Sequence, residues 1–119
     1  MPKVSYILTP TARQHLREAK VWSLTRWGEK LTKNYFNDLE KAAIFVANNH
    51  ANLRKHSDIS KNLELGLYPV REHYLVFLPL SRDKVVIVDV IRQGRDIPAL
   101  LGKYGMLIQR EIEQIQKSL

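Results

Sequence analysis

The chain has 119 residues and 13.9 kDa, enough for one compact domain whose core needs no disulfide or metal staple. It contains no cysteine, which excludes disulfides, thiolate metal centres, iron–sulfur clusters and cysteine nucleophiles, and suits a reducing cytosol. Nineteen basic against twelve acidic residues leave a net charge of +7, which favours an acidic partner such as nucleic acid or an acidic protein. The apolar stretches, such as 74–80, fall far short of the roughly 20 residues that span a bilayer. Residues 1–8 lack the charged start and apolar run of a signal peptide. A cytoplasmic protein with no membrane partner is expected.

In chain order, residues 3–8 read as a short strand, with Val4, Tyr6 and Leu8 alternating against Lys3 and Ser5. Thr9-Pro10 marks a helix start, since threonine caps well and proline suits the first helical position. A first helix from Pro10 to about Arg26 puts Ala12, Leu16, Ala19 and Ser23 on one face. Gly28 stops it. A second helix from about Glu29 to Asn49 carries a stripe of Leu31, Tyr35, Leu39, Ala42 and Val46, widened by Phe36 and Ile44. The short connection implies an antiparallel helical hairpin.

Residues 48–61 are polar and read as a loop. Beyond them Leu63, Leu65 and Leu67 alternate with Glu64 and Gly66, residues 70–80 are β-prone, and 84–91 (KVVIVDVI) give the strongest strand signal. The Ser81-Arg82-Asp83 turn joins the last two strands as an antiparallel hairpin. In the tail, Ile108, Ile112, Ile115 and Leu119 keep a helical rhythm that Gly102 and Gly105 interrupt, so a helix from about Gly105 is expected. The fold class is α+β: strand, antiparallel helical hairpin, three-stranded antiparallel β-meander and C-terminal helix, in a single domain over 1–119 with 101–119 as a helical extension.

Signals of chemistry are sparse. His15, His50, His56 and His73 lack HxxH or HxxxH spacing, so neither a metal site nor a cofactor is expected. There is no GxGxxG, Walker or GxSxG motif. Asp38 and Glu40 are two apart on a helix and do not face each other. Asp83, Asp89 and Asp96 fall in separate elements and read as solvated or ion-paired. More informative is VIRQGRD (90–96), where a buried-looking strand runs into Arg92 and Arg95. Their planar forks suit phosphate or carboxylate, the alternative being a local ion pair with Asp89 or Asp96. Trp22 and Trp27 are either hairpin packing or an exposed partner anchor.

The stretch YILTPTA (6–12), the Trp27-Gly28-Glu29 break, residues 35–39, and YLVF (74–77) followed by VVIVDVIRQGRD (85–96) resemble ParE-type toxins of the RelE/ParE toxin–antitoxin superfamily. The resemblance covers roughly residues 3–100 and implies the α+β fold already argued. It also implies a bacterial type II toxin that inhibits DNA gyrase by binding, blocks replication, and serves plasmid or chromosome stabilisation. A cognate ParD-like antitoxin would neutralise it. That partner has a DNA-binding N-terminal part, through which alone operator DNA is reached, and an acidic C-terminal segment.

On this reading Arg92, Arg95, Ile108 and Ile112 meet the target, and Leu16, Trp22 and Tyr35 meet the antitoxin. The superfamily's other activity, ribosome-dependent mRNA cleavage of the RelE type, needs a base, an acid and cations at the phosphate. Its candidates here are Arg71, Lys84 and Arg92 with Tyr74 or Tyr104. Tyr74 stands about where that type has an arginine, and residues 97–101 lack its terminal aromatic, so the binding inhibitor, not an enzyme, is expected. A member with a different target, acting as a binding module, is the third reading.

Overall fold

The computed structural model describes residues 6–53, 55–56 and 65–118. The elements are β1 (Tyr6–Leu8), α1 (Pro10–Asn49), a 3-10 turn at His50–Asn52, β2 (Lys55–His56), β3 (Leu65–Val70), β4 (His73–Ser81), β5 (Lys84–Arg92) and α2 (Ile97–Lys117). Positions 3–5 of the expected first strand, and Leu63, Glu64 and Leu119, lie outside the described residues.

The sheet has five strands in the order β1-β5-β4-β3-β2. β3, β4 and β5 form the expected antiparallel meander. β1 joins it in parallel beside β5, pairing Tyr6, Ile7 and Leu8 with Val85, Val86 and Ile87. β2 is a two-residue strand on β3, in a stretch expected to be loop.

Thr9 explains the sharp start of α1. Its Oγ1 accepts the Ala12 N–H at 3.0 Å and donates to the Val88 carbonyl at 2.7 Å, so one side chain caps the helix and ties it to β5. Gly28 breaks α1 with φ +82°, a left-handed value that glycine adopts without a Cβ penalty. The first arm starts beside Val88 and brings Trp22 to Arg92. The second brings Tyr35 to His73, then His50 to the Ser81 carbonyl at 2.6 Å. His73 pairs with Arg92 and Ser81 with Lys84, so the arms run in opposite directions along β5, as the expected hairpin requires.

Both arms cover one face of the sheet, burying Ala12, Tyr35, Leu39, Ala43 and Val46 against Leu75, Phe77, Val85 and Ile87. Two expectations fail here. Leu31 is 57% exposed and Ile44 also faces water, while Thr32 is buried. Leu31 and Thr32 both lie one turn before Tyr35, and the buried side of the second arm, Thr32, Tyr35, Leu39, Ala43 and Val46, takes in Thr32 and leaves Leu31 outside.

α2 covers the opposite face, where Leu101, Ile108 and Ile112 pack on Leu65, Val76, Val86, Val88 and Ile91. It begins at Ile97, eight residues before the expected Gly105. Asp96 caps it by accepting the Ala99 N–H at 3.1 Å, and Pro98 sits in the first turn. Gly102 and Gly105 lie inside it. Each costs about 1 kcal/mol relative to alanine, less than the roughly 1.5–3 kcal/mol from burying one Leu or Ile. Packing therefore carries the helix through both.

Candidate functional site

β1 covers β5 only as far as Ile87, whereas β4 pairs with β5 as far as Arg92. Past Ile87, α1 and α2 close on this edge from the two faces. At the narrow end, the Thr11 N–H and Oγ1 donate to the Glu111 carboxylate at 2.8–2.9 Å. One helical turn on, His15 Nδ1 lies 2.6 Å from Asp89 Oδ1, which also accepts the Val90 N–H at 2.8 Å. The His15 ring stands edge-on to Tyr104 at 6.5 Å.

Asp89 and Glu111 are both buried. Burial pushes the Asp89 carboxyl above its ordinary value of 3.8, and the charge of Glu111 adds to this. Hydrogen bonding and charge from His15, with the Val90 N–H, oppose it.

Beyond Tyr104 the seam widens into a cleft of about 400 Å³ between Trp22, His73, Arg92, Arg95, Leu100 and Tyr104. The guanidinium carbons of Arg26 and Arg92 lie 4.5 and 5.1 Å from the Trp22 ring centre, within cation–π range. From Trp22 an aromatic series runs inward: Trp27 at 5.4 Å, Tyr35 a further 5.6 Å on, then His73 at 5.5 Å.

The Tyr35 hydroxyl is hydrogen-bonded to His73 Nδ1. Burial pushes the phenol up to about 12 and the imidazole below its ordinary 6.5, so at neutral pH Tyr35 donates to an uncharged ring. Arg71 in the β3–β4 turn donates from Nε to Asp38 at 2.7 Å. It holds φ +51°, a strained value for a side chain of its size. Gln93 braces that turn, donating from Nε2 to the Arg71 and His73 carbonyls and from its backbone N–H to that of Glu72.

The structure thus brings Trp22, Arg92, Arg95 and Tyr104 into one cleft, with Tyr35 behind it. Leu16 is half-buried against the hairpin core and lines a second, mainly apolar groove with Tyr6 and Phe36. Tyr35 is 4% exposed. Ile108 and Ile112, at 2% and 3%, face the sheet rather than solvent; Met106 and Leu107 carry the outer apolar surface of α2. Lys84 stands at the far end of β5 from Arg92, roughly 26 Å away at about 3.3 Å per residue. Tyr74 packs on the α2 side.

Sequence reasoning missed His15, Asp89 and Glu111. The available signal was Asp89, the one charge within VVIVDVI: a carboxylate in a buried strand needs a partner. Among the described residues no three His, Asp or Glu side chains gather as a metal site.

Among the described residues, neither helix is long and apolar enough to cross a membrane. No curated protein matches the chain. The family model for the ParE toxin of the type II toxin–antitoxin system parDE matches residues 6–97, from the first residue of β1 to the first of α2. A toxin of this kind implies a cognate antitoxin. The chain belongs to the ParE toxin family of type II toxin–antitoxin systems, as the toxin component.

Proposed function

We propose that this toxin acts by binding DNA gyrase and blocking replication, with no chemistry of its own, and that a ParD-like antitoxin with an acidic C-terminal segment neutralises it in the cytoplasm. Arg92 and Arg95 make the target contact, and Trp22 and the apolar groove at Leu16 serve the antitoxin. Ile108 and Ile112 contribute by seating α2, which shapes one wall of the cleft. The observation that carries this reading is the scatter of the alternative catalytic set. Lys84 and Arg92 occupy opposite ends of β5, Tyr74 packs under α2, and Arg71 is paired with Asp38. Phosphodiester cleavage needs base, acid and cation around one phosphate, whereas a binding inhibitor needs a surface. Trp and Arg are the residue types that dominate such surfaces.

One observation favours the RelE-type reading. His15 is oriented by Asp89 beside a cleft that holds Arg92, Arg95 and Tyr104, and a carboxylate-oriented imidazole is a general-base arrangement. Pulse labelling of DNA and protein synthesis after induction without antitoxin separates the two. Early arrest of DNA synthesis, with cleaved DNA accumulating in a purified gyrase assay, is expected. Early arrest of protein synthesis that His15→Ala abolishes would overturn the proposal.

A further inference from the structure

We infer that the two-residue turn Arg71-Glu72 belongs to the surface that meets the toxin's target. Arg71 is kept in a strained backbone so that its guanidinium stands at the same end of the sheet as Arg92, and Gln93 is the residue that positions it. The inference rests on the reading that Arg92 and Arg95 make the target contact.

The strain is the first observation. Val70 pairs with His73, so Arg71 and Glu72 form a two-residue hairpin loop. Such loops place glycine or asparagine where φ is positive. Here the position holds an arginine at φ +51°, the only non-glycine residue with positive φ among the described residues. Two sides fix it. Gln93 Nε2 donates to the Arg71 and His73 carbonyls at 2.9 and 3.1 Å, and the Gln93 N–H donates to the Glu72 carbonyl at 2.8 Å. On the α1 side, Arg71 Nε and Nη2 reach one oxygen of Asp38 at 2.7 and 2.5 Å. That pair does not account for the arginine. Its two side chains are 54% and 39% exposed, and exposed ion pairs contribute little to stability. A glycine would relax the backbone at small loss. Strain of this kind persists where a site needs the side chain more than it needs the relaxed backbone.

The location says what the side chain is for. Two glycines share the positive φ, Gly28 at the bend of α1 and Gly94 just beyond β5. The bend lies between Trp22 and Tyr35, which meet Arg92 and His73, so all three left-handed residues fall at one end of the molecule. There the Arg71 guanidinium carbon lies 5.9 Å from the Tyr35 ring centre, as those of Arg26 and Arg92 lie over Trp22. Trp27 joins the two rings. Three guanidiniums thus stand along one aromatic series, and Arg, Trp and Tyr are the types that dominate the hot spots of protein interfaces. Asp38 and Glu72 stand among these cations. A surface of both signs suits a folded protein, which offers both signs in return, whereas a nucleic-acid backbone offers only one.

The test compares the full-length toxin with Arg71→Gly, Gln93→Ala, the double variant, and Arg82→Gly, which removes the same charge from the turn at the other end of β5. Denaturant midpoints, growth arrest without antitoxin and the toxin concentration for half-maximal DNA cleavage by purified gyrase are read for each. Arg71→Gly is expected to keep or raise the midpoint while the concentration needed rises at least about tenfold. Arg82→Gly should leave that concentration unchanged. Gln93→Ala should weaken the native toxin but add nothing in the Arg71→Gly background, because it acts through Arg71. Full potency of Arg71→Gly would overturn the contact. A lowered midpoint would overturn the strain, and an additive loss in the double variant would overturn the positioning role of Gln93. If the native toxin leaves gyrase untouched but arrests growth, the gyrase proposal fails and growth arrest decides the contact by the same comparisons. If it does neither, both fall.

Discussion

α1 and α2 cover opposite faces of one sheet, yet they are held by different means. α1 is a broken helix whose two arms bury small and aromatic side chains. It is fixed at one end by Thr9 on β5 and near its bend by the Trp22–Trp27–Tyr35–His73 series. α2 is a single amphipathic helix on an aliphatic face, with one buried carboxylate reaching across to α1. The family match takes in all of α1 and ends at the first residue of α2. The matched part thus supplies the sheet and one cover, and the rest supplies the other. Without α2, Val76, Val86, Val88 and Ile91 would face water, an apolar patch that promotes association.

The largest expected effect follows from that. Truncation after Asp96 should abolish cooperative thermal unfolding and drive the protein out of solution. A soluble, cooperatively folded product would show that α2 is dispensable to the fold. Next comes the α1 face. A Cβ on Gly66 would lie 2.1 Å from the buried Phe77 ring, so Gly66→Ala should cost about 3 kcal/mol, at the upper end of overpacking penalties. Denaturant midpoints would measure it, and a loss below about 1 kcal/mol would mean that the ring moves aside freely.

The polar tie of α2 is worth less. Glu111→Ala leaves two Thr11 donors without their acceptor and should cost about 1–3 kcal/mol, with hydrogen exchange accelerated in α2 before α1. Asp89 supplies a pH signature at the same junction. Its folded-state pKa lies above the ordinary 3.8, so between those two values the native state binds more protons than the unfolded chain, and this contribution to stability falls as pH rises. Asp89→Asn should remove that slope in urea titrations across the acidic range. A slope unchanged in the variant would assign it to other carboxyls. His73 acts oppositely: its lowered pKa makes stability fall as pH drops below 6.5.

The smallest effects compare the glycines of the two helices. Gly28 and Gly102 both have open space where a Cβ would go. Gly28→Ala should nonetheless cost about 1–2 kcal/mol, because φ is +82° there. Gly102→Ala, within a regular helix, should gain about 1 kcal/mol. Opposite signs in thermal unfolding would confirm that one glycine is required and the other merely tolerated. Equal signs would break the contrast.

The order of elements was legible in the residues because local chemistry dictates it. Thr9-Pro10 starts a helix, Gly28 breaks it, and VVIVDVI forms a strand whatever surrounds it. The hairpin and the meander follow from short connections. Packing decided the rest. α2 runs through two glycines because the sheet face opposite α1 needs a cover, and no local rule reports that need. Thr32 is buried in place of Leu31 because both lie within one turn of Tyr35, and only the packing of the arm on the sheet chooses between them.

The candidate site was half legible. Arg92 and Arg95 announce themselves as charges at the end of an apolar strand. His15, Asp89 and Glu111 come from three distant stretches and meet only where α1 and α2 close around the β5 edge. Trp22 and Arg92, seventy residues apart in the chain, share one cleft for the same reason. The sequence by itself determined the order of the main helices and strands and where the strand-end cations stand, since these depend on neighbours along the chain. Only the tertiary structure decided which side chains face each other across the open edge, since that depends on how two helices wrap one short-partnered strand.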